Sequence, residues 1–208
     1  MIINFFLATI AFALNWVLYL VLPKRIPLHF NAAGRPDRWG SSLEHFLINA
    51  GLILFMLLLY VLVPRIDPKR RNLWGSRGYH LIFTVIWLVP IMVALMPFFY
   101  LKGFSINKSV MVVFGLLFIG MGNYLPTLKP NYFVGIRTPW TLENEEVWRK
   151  THRIGGWIFI ITGLLLFPAV LFPEKIVIPY FLALLLGAAT FLLIYSYVYW
   201  RKIIKKSR

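Results

Sequence analysis

The chain has 208 residues, of which 60% are hydrophobic and only 14% are charged. A soluble domain is typically about 45–50% apolar and about 25% charged, and a globule of this length cannot bury such an apolar excess. The chain has no cysteine, which excludes disulfides, thiol chemistry and cysteine-based metal sites. The composition therefore excludes a soluble enzyme, a disordered tail and a secreted disulfide scaffold, and it predicts a small polytopic membrane protein.

Six stretches without Asp, Glu, Lys or Arg are long enough to cross a membrane. About 20 mostly apolar residues span roughly 30 Å of hydrocarbon at about 1.5 Å per residue. The predicted spans occupy residues 2–22, 45–64, 79–100, 109–127, 154–172 and 177–200. The first lacks the basic start and small-residue cleavage site of a signal peptide, so we interpret it as a retained helix. The whole chain, 1–208, is predicted to be one all-α membrane domain with six transmembrane helices.

The distribution of basic residues predicts the direction of the helices. The chain has 22 Lys and Arg against 7 Asp and Glu, a formal net charge of +15. Fifteen of the basic residues fall in the second and fourth connections and the C-terminal tail, and seven fall in the other connections. Because cytoplasmic loops carry the excess of Lys and Arg, both termini are predicted to be cytoplasmic in a cell membrane. The basic tail is expected to contact anionic membrane lipid, and no direct binding of nucleic acid is predicted.

The first long loop, residues 23–44, is predicted to lie outside the cell. Residues 26–30 alternate as an extended segment does, and residues 31–37 have the composition of a turn. Ser41 and Glu44 have the spacing of a capping box, so the second helix is expected to start there. The candidate toxin- or ligand-sensing residues of this loop are His29, Asn31, Asp37 and Trp39.

The second long loop, residues 128–153, is predicted to be cytoplasmic. Lys129 and Thr138 each directly precede a proline, Pro130 and Pro139. Because the residue before a proline is pushed out of the α conformation, neither stretch can be regular helix. Thr141 is a candidate N-cap for a short surface helix with glutamates in its first turn and basic residues in its last. This surface helix would lead into the fifth span.

Arg137 in this loop has two interpretations, which the sequence leaves open. In the first, its guanidinium binds a phosphate or carboxylate in bidentate fashion within a polar cytoplasmic pocket between the fourth and fifth spans. The residues expected to build that pocket are Asn123, Asn131, Arg137 and Trp140. In the second, Arg137 caps a helix end or pairs with Glu143 or Glu145, and it only holds the shape of the loop.

A metal site in either loop is less expected than structural hydrogen bonding. Neither group of His, Asp and Glu residues has the HExxH spacing of a zinc hydrolase, and the predicted topology places the two groups on opposite sides of the membrane. The best single candidate is His29 with Asp37, because the intervening turn could bring them together. No metal and no other cofactor is therefore predicted.

Two motifs carry a resemblance to a known family. The inner motif comprises Gly122-Asn123, Lys129, Asn131, Gly135-Ile136-Arg137-Thr138-Pro139-Trp140-Thr141-Leu142, Glu145, Val147-Trp148, Lys150-Thr151-His152-Arg153 and Gly155. The outer motif comprises Leu22-Pro23, Ile26-Pro27, His29-Phe30-Asn31, Gly34, Pro36-Asp37 and Trp39. They resemble the signature of the SdpI family of membrane proteins and the uncharacterised domain that precedes it in many members. The resemblance implies immunity to a secreted, membrane-active peptide toxin, with a cytoplasmic repressor as a further partner by analogy with the founding member.

The resemblance also implies functional residues in both loops. The outer residues would meet the peptide, and the inner residues would respond to it or recruit a cytoplasmic regulator. The inner-loop residues implicated are Asn123, Lys129, Asn131, Arg137, Thr138, Trp140, Glu145, Trp148, His152 and Arg153. A small-molecule transporter or membrane-embedded enzyme using the same pocket is the alternative. The sequence has no nucleophile elbow, phosphate loop or catalytic cysteine, and its spans are almost free of ionisable residues, so an enzyme or an ion-coupled transporter is less favoured.

Overall fold

The computed structural model of the protein describes residues 2–206. The helices and strands along the chain are α1 Ile2–Val21, β1 Arg25–Phe30, β2 Pro36–Ser41, α2 Ser42–Ile66, α3 Arg70–Trp74, α4 Arg77–Ile86, α5 Leu88–Leu101, α6 Ile106–Tyr124, α7 Pro139–Glu143, α8 Glu145–Leu166 and α9 Glu174–Lys206. Short 3-10 turns, Leu125–Thr127 and Phe167–Leu171, extend α6 and α8.

Within the described residues, six helical stretches are long and apolar enough to cross a membrane. They are α1, α2, α4 with α5, α6, α8 and α9. The third is broken at the buried Trp87, whose indole N–H donates to Asn4 Oδ1 at 3.0 Å. Pro90 lies in the first turn of α5, where its missing N–H costs no helical hydrogen bond. The predicted all-α, multi-pass membrane architecture is confirmed.

The first long loop folds into an antiparallel hairpin of β1 and β2, the only strands in residues 2–206. Ile26 is fully buried and packs with Leu18, Leu22 and Ala94, so the hairpin is anchored on the bundle. The predicted extended segment and turn are thus confirmed. The predicted helix start is confirmed as well, because the Ser41 side chain accepts a hydrogen bond from the Glu44 N–H and caps α2.

The prediction that Thr141 caps one short surface helix is wrong. Thr138 caps α7 and shares a capping box with Thr141, because Pro139 fixes the first helical position directly after an extended Thr138. Asn144 then interrupts the helix, and its side chain accepts from the N–H groups of Glu146 and Val147 to start α8. Glu143 therefore ends α7, whereas the other acidic residues and the basic residues of the predicted surface helix form the first turns of the fifth membrane helix.

The helices α6 and α8 run antiparallel and touch through two pairs of glycines. A Cβ atom on Gly115 would lie 3.0 Å from the carbonyl oxygen of Gly163, and one on Gly122 would lie 2.6 Å from that of Gly156. Small residues let membrane helices approach closely. This pair of helices carries the second long loop at one of its ends.

The two long loops lie at opposite ends of the bundle. At the hairpin end, the Asn107 amide at the start of α6 donates to the Ala32 carbonyl of the hairpin turn at 3.1 Å. At the other end, the connection after α2 is hydrogen-bonded to the loop after α6, through Asp67 and Tyr132. We call the second end the basic end, because it includes the loops and tail that hold most of the Lys and Arg residues.

Candidate functional site

The loop of residues 128–138 at the basic end, the signature loop, is built around the Asn131 side chain. Its Oδ1 accepts from the N–H groups of Phe133 and Val134 at 3.0 and 2.7 Å, and its Nδ2 donates to the carbonyls of Lys129 and Val134 at 2.9 Å. Asn131 is fully buried. Because an amide side chain has two acceptor and two donor positions, Asn131 has no capacity left for a ligand. It acts as the centre of the loop.

Two residues between α2 and α4 hold the signature loop from outside, Asp67 directly after α2 and Asn72 in α3. Asp67, which is 2% exposed, accepts from the N–H groups of Lys69 and Tyr132 at 2.6 and 2.8 Å. Asn72 donates to the Pro130 carbonyl at 2.7 Å. Sequence reasoning missed both residues. The available signal was that Asp67 is the only acidic residue in an otherwise basic connection.

His152 is a buried structural residue of the site. Its Nε2 accepts from the Ile136 N–H at 3.0 Å, so its Nδ1 carries the hydrogen that is donated to the Trp148 carbonyl at 2.9 Å. The imidazole stacks on the Trp148 indole with ring centroids 3.9 Å apart. Gly135 has φ +116°, and a Cβ atom there would lie 2.3 Å from Nε2. The loop therefore closes directly over the ring, which a larger residue at position 135 would prevent.

Trp148 fixes the start of the signature loop. Its indole N–H donates to the Leu128 carbonyl at 2.8 Å, and the ring is fully buried against Ile82 and Leu125. A buried indole needs such a partner for its N–H. The side chain thus ties α8 to the end of α6.

Thr138 and Trp140 connect the loop to α9. The Trp140 indole N–H donates to Ser196 Oγ at 2.5 Å, and its ring packs edge-on against Tyr197. Thr138 and Thr141 bond each other through backbone and hydroxyl groups, and the Thr141 hydroxyl also donates to the Ile136 carbonyl. Sequence reasoning missed Ser196, because a serine inside an apolar span carries no local signal of its partner.

Five of the implicated residues are exposed at the basic end: Asn123, Lys129, Arg137, Glu145 and Arg153. The Arg137 guanidinium donates to the Tyr132 carbonyl at 2.6 Å. The expected pairing of Arg137 with Glu143 or Glu145 does not occur among the described residues. Arg137 does hold the shape of the loop, but through a backbone carbonyl.

The four residues of the predicted pocket are not brought together. Asn131 is enclosed in its own loop, and Trp140 lies against α9. Asn123 instead lines a cavity between α6 and α8 that also includes Arg149 and Arg153. The predicted pocket of Asn123, Asn131, Arg137 and Trp140 is therefore not formed, and the cavity between α6 and α8 shares only Asn123 with it.

At the hairpin end, the turn brings His29 and Asp37 together as the sequence predicted. The His29 Nδ1 and Asp37 Oδ1 atoms are 2.6 Å apart, and their side chains are 67% and 43% exposed. Asn31 shapes the turn by accepting from the N–H groups of Ala33 and Arg35. Trp39 is also exposed and contacts Tyr100 of α5 edge-on. The four candidate sensing residues thus lie on one small surface element.

Within residues 2–206, no three His, Cys, Asp or Glu side chains are grouped so that they could hold a metal ion. His29 and Asp37 supply two donors, fewer than the three or four protein ligands of zinc sites. The contact between His29 and Asp37 is therefore an exposed ion pair or hydrogen bond.

Comparison with known proteins supports the sequence motifs. The model of the SdpI/YfhL protein family matches residues 127–196, and a domain of unknown function, DUF1648, matches residues 6–54. Over residues 127–196 the chain is similar to the SdpI family. It is 24% identical over 207 residues to the immunity protein SdpI of Bacillus subtilis (strain 168), covering 97% of this chain and 96% of that protein. No solved structure matches the chain.

The two matched regions coincide with the two structured ends of the bundle. The SdpI region contains the signature loop, α7 and α8, and it ends at Ser196, the residue that receives the Trp140 hydrogen bond. The DUF1648 region contains the hairpin, including His29, Asn31, Asp37 and Trp39. Within the SdpI-like region, Asn131, Thr138 and His152 of the inner motif build the loop.

Proposed function

We propose that this protein gives its cell immunity to a secreted, membrane-active peptide toxin. The observation that carries the proposal is the similarity to the immunity protein SdpI along 97% of the chain, with matched family regions at both ends of the bundle. Six helices that are long and apolar enough to cross a membrane support this proposal, because such a peptide would act on the membrane. The excess of basic residues at the basic end supports a cytoplasmic position for that end and an extracellular position for the hairpin.

The hairpin is the proposed sensing surface. It projects His29, Asp37 and Trp39 into solvent, while Ile26 and Asn107 hold it to the bundle. An exposed indole next to an imidazole and a carboxylate can contact both the apolar and the polar groups of an amphipathic peptide. Because the hairpin is already held in place, less conformational entropy is lost when the peptide binds.

The helices α6 and α9 are the proposed route from the hairpin to the signature loop. The Asn107 amide also lies 3.4 Å from the Glu174 carboxylate, so the residue of α6 that holds the hairpin turn also contacts the start of α9. At the basic end, Trp140 bonds Ser196 of α9, and Trp148 bonds Leu128 just after α6. A displacement at the hairpin would therefore reach the loop through two packed helices.

The exposed face of the signature loop is the proposed contact for a cytoplasmic regulator. Arg137 keeps guanidinium donors free beyond its bond to Tyr132, and Tyr132 and Phe133 are 43% and 38% exposed. Arg and aromatic side chains are the groups that contribute most at protein interfaces. Lys129 and Glu145 are also exposed and carry opposite charges.

The test is protection of a sensitive bacterial host that produces the full chain and is challenged with a secreted, membrane-active peptide. We expect growth at peptide concentrations that kill the host with an empty vector, while uptake of amino acids and sugars is unchanged. Killing despite an equal amount of chain in the membrane would contradict immunity. Protection that appears only together with altered solute uptake would favour a transporter instead. A reporter fused to a peptide-induced promoter distinguishes immunity alone from immunity with signalling.

A further inference from the structure

A groove between α6 and α8 at the basic end changes from charged to apolar along its length. It is a cavity of about 490 Å³. Arg149 and Arg153 line its charged part together with the neutral Asn123, and Trp157 and Ile160 line its apolar part. Gly156 lies between them, where the backbones of the two helices touch. This groove belongs to neither the hairpin nor the exposed face of the signature loop.

The order of these groups follows from helical spacing on α8. Residues three or four positions apart share one face of a helix. Arg149, Arg153, Trp157 and Ile160 follow this spacing, so they form a row that runs from the start of α8 toward its middle. Both arginines are exposed, and the Trp157 indole is 62% exposed toward the outside of the bundle.

The length of the helix places the row across the edge of the hydrocarbon layer. The stretch Glu145–Leu171 has 27 residues, or about 40 Å at about 1.5 Å per residue, compared with roughly 30 Å of hydrocarbon. Its far end carries Leu171, which is 82% exposed, at the hairpin end. The first turns, with Arg149 and Arg153, therefore extend to the level of the headgroup phosphates, while Trp157 and Ile160 lie at the level of acyl chains.

The arginines of the groove are available for an anion. Within residues 2–206, no carboxylate lies at salt-bridge distance from Arg149 or Arg153. The ion pairs among these residues, His29 with Asp37 and Arg38 with Glu44, are both at the hairpin end. Guanidinium groups bind phosphate oxygens in bidentate fashion, and the Asn123 amide adds neutral donors. An inorganic phosphate would use only this half of the groove.

We propose that the groove binds one anionic phospholipid. Its phosphate contacts Arg149, Arg153 and Asn123, and one acyl chain lies along Trp157 and Ile160. One lipid molecule then fills both halves of the groove, its phosphate in the charged half and its acyl chain in the apolar half. Such lipids are present at this depth in a bacterial membrane.

Fluorescence quenching in nanodiscs tests the proposal on the full chain. Wild-type protein is placed in phosphatidylcholine discs with a minor fraction of either phosphatidylglycerol or phosphatidylcholine that is brominated on the acyl chains. Because the chain has 8 Trp residues, each measurement is repeated with Trp157→Phe, and the difference isolates Trp157. We expect brominated phosphatidylglycerol to quench Trp157 more than brominated phosphatidylcholine does at the same mole fraction.

Charge variants separate the groove from general surface attraction. Arg149→Gln with Arg153→Gln is expected to reduce the preference for phosphatidylglycerol on the order of tenfold, as expected for lost charge-assisted contacts. The control, Lys150→Gln with Lys202→Gln, removes the same charge from exposed positions outside the groove and should retain the preference. Equal quenching by the two lipids in wild type, an equal effect of both variants, or loss of the preference on adding inorganic phosphate would each overturn the proposal. These readouts do not depend on immunity.

Discussion

Gly122 and Gly156 face each other so closely that a Cβ atom on either would lie within 2.7 Å of the other's carbonyl oxygen. Neither position can therefore carry a larger residue while the other helix stays in place. The backbones of α6 and α8 are in direct contact at the basic end. The signature loop, its anchoring Trp148 and the lipid groove all depend on this helix pair.

Gly156→Ala is expected to lower the free energy of unfolding by about 1–3 kcal/mol, because the added methyl group must push two backbones apart. The measurement is thermal or denaturant unfolding in detergent micelles. Gly187→Ala in α9 is the matched control, since a Cβ atom there meets nothing within 4 Å. The control should be neutral or slightly stabilising, as alanine is the better helix former. Equal destabilisation by both changes would contradict the close contact.

Gly135→Ala is expected to destabilise the protein more than Gly103→Ala. Both glycines have positive φ, at +116° and +81°, so both alanines carry backbone strain of about 1–3 kcal/mol. Only the Cβ atom at position 135 would also collide with a neighbour, His152 Nε2, whereas position 103 is open. Unfolding of the two variants in micelles gives the difference directly. A larger loss for Gly103→Ala would show that the His152 contact does not constrain the loop.

Asp67→Asn is expected to loosen the signature loop. The carboxylate accepts from two N–H groups, whereas an amide presents one oxygen and one NH₂ group, so one backbone donor loses its partner at a cost of about 1–3 kcal/mol. Hydrogen–deuterium exchange should become faster in peptides that cover residues 128–138. Glu143→Gln, at an exposed position, removes the same charge and should leave exchange there unchanged. Unaltered exchange in Asp67→Asn would show that the Tyr132 bond is dispensable.

Asn107→Ala is expected to release the hairpin turn while the bundle stays folded. The change removes the bond to the Ala32 carbonyl and the contact with Glu174, which together amount to about 1–2 kcal/mol. Exchange should increase in peptides covering residues 25–41, and protection against the peptide toxin should fall severalfold. Lys175→Ala, exposed at the same end, is the control. Full protection with a loosened hairpin would argue against the hairpin as the sensing surface.

Arg137→Lys is expected to lower the peptide concentration that the host survives by about tenfold. A lysine ammonium cannot bond the Tyr132 carbonyl and also offer the paired, planar donors of a guanidinium to a partner. Survival of the sensitive host at graded peptide concentrations measures the change, with membrane levels of the chain checked by immunoblot. Arg71→Lys, another exposed arginine at the basic end, is the control. Full immunity in Arg137→Lys would leave no role for the guanidinium geometry.

The sequence predicted features that depend on neighbours in the chain. Six spans follow from length and hydropathy, the Ser41 cap follows from a three-residue spacing, and the pairing of His29 with Asp37 follows from one turn. The contacts that build the basic end join residues far apart in the chain, 65 positions for Asp67 with Tyr132 and 56 for Trp140 with Ser196. Such pairs are fixed by helix packing, which no local pattern encodes.

The polar residues of the inner motif show a second limit of sequence reasoning. Asn131 and His152 have side chains that are common in binding sites, yet both are completely buried and bonded within the loop. Their spacing gave no sign of burial, because their partners are backbone groups of Val134 and Ile136 that only the folded loop presents. Arg137 and Glu145, by contrast, remain exposed for the role predicted of them.

The glycine contacts between α6 and α8 recur after seven residues in each helix, at Gly115 with Gly163 and at Gly122 with Gly156. A seven-residue repeat is the signature of a left-handed supercoil, in which the helices stay adjacent along their length. Antiparallel neighbours of this kind need a connection of only about two to eight residues. The chain instead uses all of residues 128–144, including α7, to make that return. The need to join the two helices therefore does not explain the length of this loop. Most of its residues are available for a role other than connecting α6 to α8.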